Sequence, residues 1–369
     1  MHSPREYVES LSPWPKDGFG LDRIKALLAE LGVPQLRYPS IHVVGTNGKS
    51  TVTRTVEELL ALAGLAVGAY LSPHVRGWSE RIRVRGDEAD FDAAIESVRP
   101  AAEHVGATQF ELLTAAALAA FAAAEVDVAV VEAGLGGRYD ATNVLRSPVQ
   151  VLTNVSLEHT DVLGTTREAI AAEKLAVVQP GATVVITEPE WEELARENGA
   201  ASVVVAGGSN LAVALAAAQA FLGRPVDGHV DVRLAGRLER VNEDPLEIWD
   251  GAHNLAGVGY VLARLPSARY TIVASILADK GVEGMLAAFS VLGDRFVATG
   301  SSSSRALSAA DLAERAAPYF AEVEAVEDPV EALTRGRALG DPLLVTGSLY
   351  LLADLAKDES VRWRTLATG

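Results

Sequence analysis

A pattern suited to phosphate binding occupies residues 45–51, with the sequence GTNGKST. Gly45 and Gly48 allow backbone turns that a Cβ would hinder, so amide N–H groups can point at phosphate oxygens. Lys49 would neutralise the β- and γ-phosphates of a nucleotide. The run IHVVG before the loop is strand-like and VTRTVEELL after it is helical, which is the context that such a loop requires.

The loop also offers hydroxyl groups, because Ser50 or Thr51 would supply an oxygen to Mg²⁺. It is shorter than the full GxxxxGK[ST] pattern, since Val43 stands where the first glycine would be. On this stretch alone, a kinase, a nucleotide-driven switch and a ligase all stay open.

Other residues that could bind a metal ion or take part in catalysis follow strand-like runs or lie among apolar neighbours. Ser72 follows GAYL, and Glu132 ends DVAVVEA, at the edge where open α/β sheets bind ligands. An acid closing an apolar run is costly unless a cation meets it. Lys174 in AIAAEKLAVV has apolar neighbours, which would depress its pKa and favour the neutral amine. A lone histidine such as His159 is more often structural.

Composition limits the possible partners and the compartment. The chain has 369 residues, a net charge of −17 and no cysteine. The missing cysteines exclude disulfides, thiolate nucleophiles and Cys-ligated metals. The negative charge argues against nucleic acid or an anionic membrane as partner. No apolar run approaches a membrane span, and the N-terminus lacks a signal-peptide core, so we expect a cytoplasmic protein.

Strand-like and helix-like runs alternate along the chain, which predicts an α/β fold with a mostly parallel sheet covered on both faces. The predicted strands are IHVVG, AVGAYL, VDVAVVEA, VQVLTNV and ATVVIT, and then LEIWDGAHN, YTIVASIL, DRFVATG and PLLVTGS. The pattern weakens in the Gly-, Pro- and Asp-rich stretch between these two series. We therefore predict two domains, 1–228 and 229–369, the second smaller and Rossmann-like.

Further segments resemble one family in order along the chain. GTNGKST resembles its short phosphate loop, LSPHVRGWSERI its SPH…ERI segment, and TQFELLTAAALAAF its TxFE-T segment. EAGLGGRYDATN is close to its EVGLGGRLDATN, and NVSLEHTDVLGTTREAIAAEK follows its DH…LG-T…IA-EK pattern, with Glu158 in place of Asp. GRLERV…DGAHN and ADKGVEGML are similar to its C-terminal segments. The family is the folylpolyglutamate synthase/dihydrofolate synthase branch of the Mur ligases.

The resemblance implies an activity and its cofactors. It implies an ATP-binding, P-loop ATPase-like domain of the Mur ligase central type, followed by a C-terminal glutamate ligase domain. The implied reaction uses ATP and two Mg²⁺ ions to attach L-glutamate to a folate or to dihydropteroate through an acyl phosphate. A monomer that needs neither nucleic acid nor a membrane is also implied.

The resemblance further implies roles for individual residues. For ATP these are Gly45, Thr46, Asn47, Gly48, Lys49, Ser50, Thr51, Asn210, Arg237 and Asp250. For the substrate these are Thr108, Gln109, Phe110, Glu111, Tyr139, Asp140, Ala141 and His253. For Mg²⁺ these are Ser50, Ser72, Glu132, His159 and Lys174, the lysine being carbamylated, and Lys49, His159 and Lys174 form the catalytic set.

Three points leave alternatives open. In ERIRVR, strand alternation would place Arg81, Arg83 and Arg85 on one face, as a positive strip for a polyglutamate tail or as a solvated hairpin face. The Lys-Ser-Thr end of the phosphate loop favours a peptidoglycan-type Mur ligase, which joins an amino acid to a UDP-linked substrate. Asn210 could instead cap the Ala-rich helix after it.

Overall fold

The computed structural model describes residues 2–15, 18–226, 228, 230–340, 342–358 and 361. They form two compact units, one of residues up to Pro73 together with Trp78–Val232, the other of His74–Gly77 together with the chain from Arg233. Val75 is buried in the core of the second unit with Trp249 and Val345. The functional assignment of domains 1–228 and 229–369 stays a prediction.

The first unit is built on an eight-stranded sheet of order β4-β3-β2-β5-β1-β6-β7-β8, in which β3 and β4 are antiparallel. Its strands are β1 (Ser40–Val44), β2 (Val67–Tyr70), β3 (Ile82–Val84), β4 (Asp87–Glu88), β5 (Val128–Glu132), β6 (Val149–Leu152), β7 (Thr183–Ile186) and β8 (Ser202–Val205). Its helices are α1 (Pro4–Ser10), α2 (Asp22–Glu30), α3 (Lys49–Leu62), α4 (Phe91–Val105), α5 (Gln109–Ala123), α6 (Thr160–Leu163), α7 (Arg167–Leu175), α8 (Glu192–Glu197) and α9 (Asn210–Leu222).

Central strands of this sheet are largely apolar because both faces are covered. In β5, Val128 and Val130 pack in one core with residues of α3 and α9. Ala129 and Val131 pack in another core with residues of α4 and α5. This alternation orients each residue at the end of a strand toward one face or the other.

The second unit has a six-stranded sheet of order β13-β12-β11-β14-β10-β9, with only β9 antiparallel to its neighbour among the described residues. Its strands are β9 (Glu239–Glu243), β10 (Leu246–Trp249), β11 (Thr271–Ala274), β12 (Arg295–Ala298), β13 (Glu322–Ala325) and β14 (Leu343–Thr346). Its helices are α10 (Leu255–Leu262), α11 (Val282–Phe289), α12 (Ala309–Ala316), α13 (Pro329–Ala338) and α14 (Leu349–Lys357), and the chain has 3-10 turns at Pro34–Leu36, Trp78–Arg81, Pro189–Trp191 and Ser290–Leu292. The predicted two-sheet α/β fold is confirmed.

The predicted arginine strip is wrong. Arg81 ends a 3-10 turn, and its guanidinium lies 5.0 Å from the ring centroid of Trp78. Arg83 lies in β3 and pairs with the buried Glu57 at 3.3 Å. Arg85 has a φ of 55° in the turn that follows β3 and donates to a backbone carbonyl. The strand is only three residues long, so alternation does not extend over all three arginines.

Across the described residues we find no helix with both the length and the apolar surface that a membrane crossing demands.

Candidate active site

The phosphate loop connects the end of β1 to the start of α3, and its two glycines adopt left-handed or near left-handed backbone conformations. Gly45 has a φ of 147° and Gly48 a φ of 82°. A Cβ on Gly45 would lie 1.9 Å from Thr153 Oγ1, and a Cβ on Gly48 would lie 2.7 Å from Asn210 Oδ1. Both positions therefore require glycine, for conformation and for space.

A polar segment that follows β6 holds the loop in place. The backbone oxygen of Asn154 accepts the N–H of Thr46 at 3.0 Å, and its Oδ1 accepts the N–H of Asn47 at 2.9 Å. Thr153 Oγ1 donates to Asn47 O at 2.7 Å. Backbone polar groups of Thr46 and Asn47 are thus paired, and this pairing holds that part of the loop in its conformation. The sequence prediction had not included these clamp residues, although polar residues directly after a parallel strand are the signal for them.

Lys49 is the first residue of α3, and its side chain bends back over the loop. Its Nζ donates to Gly45 O at 3.0 Å and to Thr46 O at 3.1 Å. Gly48 is the N-cap and provides no side chain to cap the helix. The N–H groups and the dipole at this helix start therefore favour an anion, as the sequence predicted for phosphate.

Glu132 is the last residue of β5, and only 1% of its surface is exposed. Ser50 Oγ donates to Glu132 Oε1 at 3.0 Å, and the backbone N–H of Ser72 donates to Oε2 at 3.1 Å. By alternation, Glu132 continues the series of Val128 and Val130 toward the face that α3 covers. The predicted acid therefore lies beside the phosphate loop, at the carboxyl edge of the sheet.

The hydroxyl oxygen of Ser50 and the carboxylate oxygens of Glu132 are ligand types that suit a hard divalent cation such as Mg²⁺. The cation prefers carboxylate and hydroxyl oxygens, and in nucleotide sites one or two carboxylates act together with substrate phosphates. Within the described part of the chain, no group of three or more His, Asp and Glu side chains is placed to hold an ion. Ser50 and Glu132 resemble the partial ligand set that a bound nucleotide completes in such sites, and their role as metal ligands stays a prediction.

Lys174 projects from α7 into the interior and is 1% exposed. Its Nζ donates to Gly45 O at 2.9 Å and to Glu158 Oε1 at 2.5 Å. Lys49 and Lys174 thus converge on one carbonyl oxygen of the phosphate loop. In this arrangement Lys174 is the partner of a carboxylate, and a role as metal ligand requires its conversion to an anionic group.

Burial and the neighbouring charges shift the pKa values of Lys174 and Glu158. Desolvation lowers the pKa of Lys174 from 10.5 to about 8, an effect that Glu158 opposes and Lys49 reinforces. Desolvation raises the pKa of Glu158, but Lys174 and Lys49 outweigh it, so that this pKa lies below its usual value. Near neutral pH the site therefore holds a carboxylate and an amine that loses its proton more readily than an exposed lysine.

The loop with the sequence GLGGRYDATN packs on the helix that carries Lys174. A Cβ on Gly137 would lie 2.6 Å from Lys174 O. The backbone N–H of Arg138 donates to Glu173 O, and its side chain donates to the Glu173 carboxylate at 2.8 Å. The absence of a side chain at Gly137 therefore lets the loop reach the end of α7.

Asp140 closes this loop on itself. Its Oδ2 accepts the N–H of Leu135 at 2.8 Å, and its Oδ1 accepts the N–H of Thr142 at 3.0 Å. Asp140 and Ala141 are buried, whereas Tyr139 is 53% exposed. Their predicted contact with the substrate stays a prediction, and Tyr139 is the one of the three whose side chain is exposed.

The predicted substrate residues at the start of α5 have structural partners. Thr108 is the N-cap, and Glu111 completes a capping box by accepting the Thr108 N–H at 2.8 Å. Arg23 donates to the same carboxylate at 2.8 Å, and Gln109 Nε2 donates to Val8 O at 2.8 Å. The Thr-x-x-Glu spacing before an apolar run is the signature of such a cap, and the sequence prediction had not used it.

Phe110 lies beside the turn that follows β5. Its ring centroid is 6.1 Å from that of Tyr70, and a Cβ on Gly134 would lie 2.5 Å from Phe110 Cζ. The ring therefore covers a glycine only two residues beyond Glu132. Its predicted stacking on a flat heterocycle is untested by these contacts.

Asn210 lies against Gly48, as described above, but it does not cap the helix that it begins. Ser209 is the N-cap of α9, and its Oγ accepts the N–H of Ala212 at 3.1 Å. The alternative of Asn210 as a helix cap is therefore wrong. Its side chain instead borders the phosphate loop at Gly48, and its adenine-side role stays a prediction.

His159 stands at the start of α6 with a φ of 76°. A left-handed conformation is uncommon for a residue with a side chain and is concentrated at functional sites. His159 directly follows Glu158, the partner of Lys174. Because Glu158 contacts Lys174, the backbone of the next residue, His159, lies near this lysine.

In the second unit, Asp250 follows β10 and is 5% exposed. Its carboxylate accepts the N–H groups of Leu238 and Ala252, both at 2.8 Å. Burial raises its pKa, and Arg237 counteracts this. Asp250, Arg237 and the nearby His253 thus form one neighbourhood of the second unit, and their predicted contacts with ATP and substrate stay predictions.

The chain is similar to known proteins along most of its length. Residues 43–225 match the Mur ligase middle domain, and residues 236–349 match the Mur ligase glutamate ligase domain. The dihydrofolate synthase/folylpolyglutamate synthase of Mycobacterium tuberculosis is 34% identical, over 83% of this chain and 80% of that protein. Its Escherichia coli counterpart is 32% identical, over 94% of this chain and 92% of that protein.

The chain belongs to the dihydrofolate synthase/folylpolyglutamate synthase family of Mur ligases.

Solved structures of the family have the same fold. Mycobacterium tuberculosis folylpolyglutamate synthase complexed with ADP has a TM-score of 0.85 at 31% identity, covering 96% of both chains. A Yersinia pestis folylpolyglutamate synthase/dihydrofolate synthase with Mn, AMPPNP and L-glutamate bound has a TM-score of 0.84 at 29% identity, covering 96% of this chain and 97% of that one.

Membership decides among the functional classes. The chain is an ATP-dependent ligase that uses a divalent metal, and the kinase and switch alternatives are wrong. The peptidoglycan-type alternative shares the superfamily only, since its similarity to this chain is at the level of the Mur ligase domains.

The first test concerns the space at Gly48. Gly48→Ala should lower the free energy of unfolding by about 1–2 kcal/mol because of its left-handed φ. The new Cβ should also displace Asn210 and weaken ATP binding about tenfold. Gly64→Ala is the matched control, since Gly64 has a φ of 91° and nothing within 4 Å of its added Cβ. Calorimetric titration with ATP checks both variants, and equal affinities would contradict the role of this contact.

Proposed function

We propose that this enzyme joins L-glutamate to folates, to dihydropteroate, or to both, through an amide bond. One observation carries the proposal. The Nζ atoms of Lys49 and Lys174 meet at Gly45 O, at 3.0 Å and 2.9 Å, on the phosphate loop whose Ser50 contacts the buried Glu132. Lys49, Lys174 and the buried carboxylate of Glu132 therefore lie around the loop at which a terminal phosphate would bind.

The reaction needs this concentration of charge because a carboxylate is a poor electrophile. Transfer of the γ-phosphoryl group breaks its bond to ADP and forms a bond to a carboxylate oxygen of the folate or pteroate. The amine of L-glutamate then attacks the carbonyl carbon of this acyl phosphate, loses a proton and expels phosphate. Phosphoryl transfer depends mainly on positioning and charge stabilisation, which the phosphate loop and Lys49 would provide.

Two Mg²⁺ ions are part of the proposal, and they would neutralise charge on the transferred phosphoryl group. Ser50, Ser72 and Glu132 would hold one of them. His159 and a carbamylated Lys174 would hold the other. Carbamylation adds CO₂ to the neutral amine and turns a cation into an anionic oxygen ligand, for which the lowered pKa of Lys174 is favourable.

The remaining assignments follow the family resemblance. Asn210, Arg237 and Asp250 would contact ATP beyond the phosphate loop. The substrate set is Thr108, Gln109, Phe110, Glu111, Tyr139, Asp140, Ala141 and His253. Within this set we assign direct contact to Phe110 and Tyr139, because Thr108, Glu111 and Asp140 are already engaged in a cap and a closed loop. We also propose a monomer, which sedimentation tests.

The function is tested by phosphate release. The enzyme with ATP, Mg²⁺ and glutamate should release phosphate only when a carboxylate acceptor is added, either tetrahydrofolate or dihydropteroate in separate reactions. A UDP-linked muramyl substrate should give no release above background, and mass spectrometry should detect one added glutamate per phosphate. Release that is independent of glutamate or of the acceptor would refute the proposal.

A further inference from the structure

The segment from Thr153 to His159 is held from two sides. On one side it clamps the phosphate loop, as described above. On the other side, the backbone N–H of Val155 donates to Glu188 Oε2 at 2.9 Å, and the Val155 carbonyl accepts from Arg167 Nε at 3.1 Å. Arg167 Nη2 also donates to Glu188 Oε1 at 2.6 Å. One ion pair therefore binds both backbone polar groups of a single residue.

This ion pair also connects the segment to the helix of Lys174. Arg167 is the first residue of α7. Lys174 lies seven residues later, close to two full helical turns, so both side chains project from the same face of the helix. Val155 lies four residues before His159. The pair thus links the backbone that leads to His159 with the helix that carries Lys174.

The side chain of Glu188 is held in place by contacts other than its ion pair with Arg167. It follows β7, and its Oε2 also accepts the indole N–H of Trp191 at 3.0 Å. The Arg167 guanidinium lies 5.3 Å from the ring centroid of Trp191. The carboxylate and the guanidinium are therefore oriented by groups other than each other, which is how an oriented support for a ligand site is built.

As an ion pair alone, Arg167 and Glu188 should contribute little to the free energy of unfolding. The side chains of Arg167 and Glu188 are 40% and 29% exposed, and exposed ion pairs are screened by water. We propose that the Arg167–Glu188 pair is a positioning device that sets the distance from the phosphate loop and His159 to Lys174. This inference rests on the proposed function, because the groups that it positions are the proposed metal and phosphate ligands.

The test measures Mn²⁺ affinity directly by electron paramagnetic resonance, with a non-hydrolysable ATP analogue and without folate. Glu188→Gln keeps the size and one acceptor but removes the charge, and it should weaken Mn²⁺ binding and lower kcat by about 10-fold to 100-fold. Its melting temperature should stay close to that of the parent enzyme. Glu190→Gln is the matched control, since Glu190 contacts the same Arg167 at 2.7 Å but is 50% exposed.

Arg167→Lys provides a second variant that keeps the charge and loses the forked donor geometry. It should weaken Mn²⁺ binding as Glu188→Gln does, and the double variant should be no worse than the more affected single one, because the two residues act as a unit. Variants that lower the melting temperature but bind Mn²⁺ like the parent would overturn the inference. Failure of the proposed function would instead appear as no acceptor-dependent phosphate release by the parent enzyme, with the Mn²⁺ measurement unaffected.

Discussion

Lys174→Ala should lower acceptor-dependent phosphate release by about 10²–10³-fold, comparable to the loss of one electrostatic stabiliser of a transition state. The substitution removes a group that contacts the phosphate loop at Gly45 O and leaves the Glu158 carboxylate, 8% exposed, without this cation. Initial rates with ATP and tetrahydrofolate check the loss. Glu173→Ala is the control, since this neighbour on α7 pairs with the surface residue Arg138.

Chemical rescue then identifies the working form of the lysine. If the carbamate is the active form, short carboxylic acids should partly restore Lys174→Ala, because they return an anionic oxygen ligand. If the ammonium paired with Glu158 is the active form, small alkylamines should restore it and acids should not. Rescue by amines alone would contradict carbamylation and leave the fold and family untouched.

The pH dependence of carbamylation has a definite sign. CO₂ reacts with the neutral amine, and burial lowers the pKa of Lys174 from 10.5 to about 8. At a fixed concentration of dissolved CO₂, the carbamylated fraction should therefore rise as the pH increases through about 8. Carbon-13 nuclear magnetic resonance with labelled bicarbonate checks this, and a carbamate signal that persists in Lys174→Ala would belong to another amine.

Glu132→Gln should have the second large effect, a loss of metal binding and of about 10² or more in kcat, since a metal ion supplies several kcal/mol of charge stabilisation. Glutamine keeps the shape and an acceptor for Ser50 or for the Ser72 N–H, so the sheet should fold as before. Only the negative charge beside the phosphate loop is lost.

Mn²⁺ titration in the presence of a non-hydrolysable ATP analogue measures this directly. Asp161→Asn is the control, because Asp161 is an exposed acid in α6, next to the same region of the chain. Parent-like Mn²⁺ affinity in Glu132→Gln would sink the assignment of Glu132 as a metal ligand, whatever happens to the rate.

The buried strands were predictable because their physics is local. Runs such as VDVAVVEA are apolar on both faces, which indicates a central parallel strand. The short strands β4, β8, β9 and β13 were not predicted, since their residues are largely exposed or polar, as in Asp87–Glu88 and Glu322–Ala325. At a sheet edge, hydrogen bonds to one neighbour replace the apolar signal.

Individual residues of the site were predictable from the sequence, but their contacts with one another were not. Motif order indicated Glu132 and Lys174, and the structure brings both to the phosphate loop. The ion pair between Lys174 and Glu158 was not predicted, because it depends on how α7 packs beside the segment after β6. Contacts between residues distant in sequence, such as Val155 with Glu188, leave no periodic trace in the chain.

The membership of His74–Gly77 in the second unit has a consequence for dissecting this enzyme. A fragment starting at Arg233 would lack Val75, which is buried with Trp249 and Val345, and Arg76, which pairs with Glu239. Such a fragment should have an unfilled position in its hydrophobic core, and we expect it to be sensitive to proteolysis. During synthesis on the ribosome, more than 150 further residues are added after His74–Gly77 before the rest of the second unit is made. Folding of the second unit therefore depends on a segment that lies within the sequence of the first.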